Sequence, residues 1–155
     1  PLAWTWMAWP AWLVSGVLAR RLVLRVPVAA WALASWDLFL DPQMVDAGHW
    51  TWSSPGAGLP GVPGIPVSNY AGWVLVAVVM SAFLQLLGPD SDVDRAAPML
   101  GFYLWTYASS VLAHAVFFGL PASAAWGALG MGLVALPLAV HLARTTRPAP
   151  VASPR

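Results

Sequence analysis

The 155-residue sequence contains no cysteine, no lysine and no glutamate, so its charges are seven Arg and six Asp. Without cysteine there is no disulfide frame, no thiolate metal ligand and no cysteine nucleophile, and the redox compartment stays undetermined. Charged residues make up 8% of the chain, against about a quarter in soluble domains, which excludes an ordinary soluble domain. A net charge of +1, with the arginines scattered in three places, leaves no basic surface for a polynucleotide, so no nucleic-acid partner is expected. No internal repeat and no removable signal peptide is visible.

What remains is apolar: 59% of the residues are hydrophobic, with 11 Trp and 15 Pro. Stretches at about 2–19, 24–40, 67–87, 99–120 and 122–142 approach the roughly 20 residues a membrane-spanning helix needs. Five spans put every arginine on one side: Arg20, Arg21 and Arg25 in the first connection, Arg95 in the third, and Arg144, Arg147 and Arg155 in the tail. The positive-inside rule then predicts a multi-pass protein of the cell membrane, with its C-terminus and the 20–25 and 88–98 loops cytoplasmic and the 41–66 connection outside. Residues 145–155, rich in Pro, Ala and Arg, read as a disordered cytoplasmic tail. Beginning at Pro1, the sequence is expected to be a piece of a longer helical bundle. The predicted fold is an all-α integral membrane protein with about five transmembrane helices and a short outer interfacial or re-entrant helix.

That short helix is placed at about 42–53, with Asp41 as N-cap and Pro42 at the first helical position. Residues 54–66 follow, with four Gly and four Pro in thirteen positions, and read as a lid or strap. The inner segment with Asp90, Asp92 and Asp94 has the spacing of a calcium loop but neither its glycine nor its distal Glu, so it reads as a solvated turn and no metal site is assigned.

Ionisable groups at membrane depth are expensive and point to function. Asp37 lies near the outer end of the second span, and Asp41 shares its face one turn later if the helix continues. Asp46, His49 and Trp50 are expected on one face of the short helix. Asn69 and Tyr70 open the third span, and Tyr103, Tyr107, Ser110 and His114 form a polar stripe down the fourth. Asp37, Asp46, His49, Asn69 and His114 thus reach a similar depth and are expected to converge in one pocket. Each has a structural alternative: Asp41 as a cap, His49 as an interfacial residue, and the tyrosines as links between helices. Ala124, Ala128 and Gly132 form a small-residue stripe suited to helix packing.

Three linked motifs carry a resemblance. Residues 36–45 (Trp-Asp-Leu-Phe-Leu-Asp-Pro-Gln-Met-Val), 48–52 (Gly-His-Trp-Thr-Trp) and 64–73 (Gly-Ile-Pro-Val-Ser-Asn-Tyr-Ala-Gly-Trp) closely resemble the membrane carotenoid hydratases, the carotenoid biosynthesis proteins that include bisanhydrobacterioruberin hydratase and the γ-carotene 1'-hydroxylase. The resemblance implies a cofactor-independent integral membrane enzyme that adds water to the terminal double bond of an acyclic carotenoid ψ-end, giving a tertiary alcohol. It implies a carotenoid substrate drawn from the bilayer, and other carotenoid biosynthesis enzymes as partners.

Such an addition needs an acid for the alkene carbon, a group that holds the tertiary cation, and a base for the attacking water. Asp37 and Asp46 are expected to be acid and counter-anion in some order, with Asp41 the third candidate and His49 or Asn69 orienting water. Substrate contacts are expected from Trp36, Trp50, Trp52, Tyr70, Trp73, Tyr107 and His114, since aromatic faces stack on a polyene and stabilise a cation. Two other readings stay open. One is a carotenoid-binding subunit without activity; the other is a metal-dependent lipid hydroxylase, for which three histidines are few.

Overall fold

In hydrocarbon a backbone N–H or C=O finds no water, so a long apolar stretch satisfies its own polar groups by closing into a helix. The computed structural model describes residues 2–53, 56–88 and 93–145. It contains α1 (Leu2–Leu18), α2 (Leu22–Ala34), α3 (Asp37–Asp46), α4 (Val67–Leu87), α5 (Val93–Leu112), a single π turn (Ala113–Phe117) and α6 (Pro121–Thr145). Among the described residues there is no β-strand, only one isolated bridge between Gly58 and Pro66. Asp90, Asp92 and the tail from residue 146 lie outside the described residues.

Among the described residues three stretches are long and apolar enough to cross a membrane: Leu22–Asp46, Val67–Leu87 and Pro121–Thr145. The chain is an all-helical membrane protein. α1 packs on α2 and α5, α5 on α6, and α2 on α4. Their shared core is built from Met7, Val14, Leu33, Leu100, Met131 and Leu138. On α2 the buried positions are Ala29, Ala30, Ala32, Leu33 and Ala34, small side chains that let neighbouring helices approach closely, as membrane interfaces require. α4 is the least covered helix and turns Leu75, Val79, Phe83 and Leu86 outward, the surface expected to face lipid acyl chains.

Two local expectations are corrected. The second span is a helix pair: after Ala34 the ladder tightens, Trp36 N–H bonding Leu33 O at 3.3 Å and Phe39 N–H bonding Trp36 O at 3.0 Å, and α3 then continues to Asp46. Asp41 is therefore inside a helix and is not an N-cap, and no helix covers 42–53. Gly48, at φ +71°, ends α3 instead: His49 N–H reaches back to Met44 O at 2.9 Å and Gly48 N–H to Val45 O at 3.0 Å, the paired bonds of a left-handed glycine cap. Asp46, His49 and Trp50 consequently do not share a helix face.

Beyond the cap, the strap is anchored by two buried side chains, Val62 and Ile65. The indole N–H of Trp126 on α6 donates to Pro60 O at 3.0 Å. Gly61 lies so close to Ala122 that a Cβ there would come within 2.7 Å of it.

A buried carboxyl pair as the candidate functional site

Four residues make one helical turn, so continuation of α3 through Pro42 sets Asp37 and Asp41 one above the other. Both are buried, at 1% and 2% exposure, and their carboxyls lie within hydrogen-bonding reach of each other. Asn69, in the first turn of α4, donates its side-chain amide to Asp41 Oδ2. Apart from Asp41, no hydrogen-bonding group among the described residues reaches either carboxyl oxygen of Asp37.

Tyr70 stands next to Asn69, within electrostatic range of both carboxyls. Its hydroxyl is buried and unpartnered among the described residues, as is the indole N–H of Trp73 one turn further on. The Trp73 ring stacks on Trp4, with centroids 4.3 Å apart and planes at 19°. Buried polar groups are nearly always paired in folded proteins. Beside the carboxyl pair, the Tyr70 hydroxyl is thus a polar group without a protein partner among the described residues.

The pair is held in place by helices remote in sequence. Proline lacks an N–H, so Pro42 leaves the carbonyl of Leu38, four residues back, without its helical donor. The hydroxyl of Ser123 on α6 supplies one at 2.8 Å. One residue on, the carbonyl of Phe39 faces His114 Nε2 at 3.0 Å, while His114 Nδ1 faces Ser110 O at 2.9 Å. α3 also sits directly on α6. A Cβ on Gly127 would fall 2.3 Å from the Phe39 ring, and one on Gly130 would fall 2.4 Å from Leu38. Ser123, Gly127 and Gly130 thus form the seat of the carboxyl-bearing helix.

The structure brings together Asp37, Asp41, Asn69 and Tyr70, with Trp73 on the same helix. Trp52 joins Asn69 and Ser68 in lining an open hollow of about 540 Å³ beneath the strap. Asp46 is exposed at the end of α3 beside a smaller cavity of about 170 Å³, and His49 and Trp50 are exposed beyond the glycine cap. Trp36 is half-buried against the core. Tyr107 donates its hydroxyl to Ala128 O at 3.2 Å, against the stripe of Ala124, Ala128 and Gly132, and Tyr103 donates to Ala32 O at 3.1 Å. His114 is buried between its two carbonyls. Among the described residues no three His or Asp side chains gather as a metal would require.

The contribution of Ser123, Gly127 and Gly130 was not read from the sequence. The signal was present in Pro42, whose position within a helix demands an outside donor for residue 38.

A search of curated proteins and a search of solved structures each gave no match. A scan of protein families matches residues 1–137 to the family described as carotenoid biosynthesis protein. That span includes all of α1 to α5, the strap, the carboxyl pair and most of α6, and the chain belongs to the carotenoid biosynthesis protein family.

Proposed function

We propose that the protein is a carotenoid hydratase. The observation that carries this reading is the buried Asp37–Asp41 pair, tied by Asn69 and set in an apolar bundle. When the pair holds one proton, it supplies both roles the reaction needs. The protonated carboxyl gives its proton to the less substituted carbon of the terminal double bond, whose electron pair forms the new C–H bond. The tertiary cation that results is held by the ionised carboxyl, an interaction strengthened where water is scarce. A water molecule adds to the cation, and its surplus proton passes to the carboxylate, restoring the pair with one proton. The net change is the addition of H₂O, with no oxidant or reductant.

Asn69 fixes Asp41 and borders the hollow under the strap, which suits it to the approach of water. The substrate is a carotenoid dissolved in the bilayer, and enzymes that make or consume it are the natural partners. We place the protein in the cell membrane with the arginine-bearing ends and the C-terminus in the cytoplasm, following the positive-inside rule.

The test is the origin of the hydroxyl oxygen. In a host making the acyclic carotenoid, expression of the protein should yield a tertiary alcohol labelled from ¹⁸O-water, with or without air. Label from dioxygen would overturn the reading. Co-purifying carotenoid with no alcohol formed would shift it to a binding subunit.

A further inference from the structure

Tyr70 lines, besides the carboxyl pair, a second feature: an open groove of about 480 Å³ between α2, α3, α4 and α6, within the size range of ligand pockets. Its walls include Trp31, Leu38, Trp126, Leu129 and Leu133, and they are almost wholly carbon. An indole usually brings a polar N–H to a pocket, yet neither indole here offers one. Trp31 donates its N–H to Gly130 O at 2.8 Å and Trp126 donates to Pro60 O at 3.0 Å. The groove therefore presents two flat aromatic rings whose hydrogen-bonding capacity is already met, together with aliphatic side chains. Leu129 and Leu133 stand 68% and 69% exposed on its rim, apolar side chains suited to face lipid.

We infer that this groove is the binding site for the conjugated chain of the substrate, which enters sideways from the bilayer and brings its end past Tyr70 to Asp37 and Asp41. The inference rests on the hydratase reading for its chemistry. The choice of a polyene over an ordinary acyl chain follows from the walls: the two indole rings, with no unmet donor, stack on a planar conjugated chain, and an acyl chain gains nothing specific from them. Tyr70, a wall of the groove and within electrostatic range of the carboxyl pair, puts that end of the groove beside the proposed reactive groups, which a lipid annulus does not need.

The experiment narrows the groove from its exposed rim, where substitution leaves the core intact. Leu133→Trp and, independently, Leu129→Trp are compared with wild type and with Leu75→Trp, an equally exposed position on α4 outside the groove. Each protein is purified in detergent from a host that makes the acyclic carotenoid, and total bound carotenoid per protein is measured separately from its chemical form. Both groove variants should retain roughly tenfold less pigment, with yield and thermal stability like wild type, while Leu75→Trp retains all of it. Unchanged pigment in both groove variants would overturn the inference and leave the groove to ordinary lipid. The two readings fail separately. Bound but never hydrated carotenoid in the wild type removes the hydratase reading and not the groove, whereas alcohol formation with undiminished pigment in the groove variants does the reverse.

Discussion

At the scale of single residues, the proposed chemistry is concentrated in one turn of helix. Asp37 and Asp41 are buried in mutual contact, whereas Asp46, nine positions after Asp37, is exposed beyond the pair. Removing either proton-transfer group from an acid–base pair costs about 10²–10⁴ in rate. Asp37→Asn and Asp41→Asn should each reduce tertiary alcohol formation by at least about a hundredfold, and Asp46→Asn should leave it within about twofold. Pigment profiles of the three variants at matched protein level decide this; equal loss in all three would assign the chemistry to the acidic segment as a whole. The sequence placed Asp37 and Asp41 on one face on condition that the helix continued, and it does. The preference for Asp46 as partner came from reading Pro42 as a helix start. Proline at the first position and proline inside a helix look alike locally. The donor that decides between them here is Ser123, more than eighty residues away.

At the scale of elements, α3 is a helix whose backbone is completed by other helices. Ser123→Ala should strand the buried Leu38 carbonyl and lower stability by roughly 1–3 kcal/mol. Pro42→Ala returns an N–H to that carbonyl, so in its background the Ser123→Ala cost should fall close to zero. A double-mutant cycle of unfolding in detergent reads the coupling directly; additive effects would show that the hydroxyl serves some other purpose. Gly127→Ala drives a methyl into the Phe39 ring and should cost about 1–3 kcal/mol by overpacking. That loss should be relieved by Phe39→Leu, measured by the same unfolding assay. The long apolar stretches were legible because apolar length alone forces a helix. The seat of α3 was not, because Gly127 and Gly130 look like ordinary small residues until the ring and side chain they accommodate are in place. Of the small stripe that could be read, Ala128 and Gly132 pack toward Tyr107 on α5 instead.

For the whole molecule, the arginines carry the proposed orientation, and the structure is a bundle whose two ends differ. One end carries the strap, the hollow and the carboxyl pair; the other carries the exposed Arg20, Arg21 and Arg144. A reporter fused after Thr145 should be active only as a cytoplasmic reporter, and one inserted at Thr51 only as an exported one. The opposite pattern would invert the proposed topology while leaving the site intact. Strap and pair being at the same end was legible from the chain order. That the strap would be bonded to α6 through Trp126 was not, since a proline-rich segment advertises no partner.

Val67 borders both the hollow beneath the strap and the aromatic groove. Asn69 belongs to the first and Tyr70 to the second, so two successive residues of α4 face different cavities. In the proposed reaction, one turn of one helix thus parts the side that supplies water from the side that supplies the carotenoid, with Val67 bordering both. On that reading the turn works by insulation: the carboxyls would draw on both sides only while the two remain unmixed.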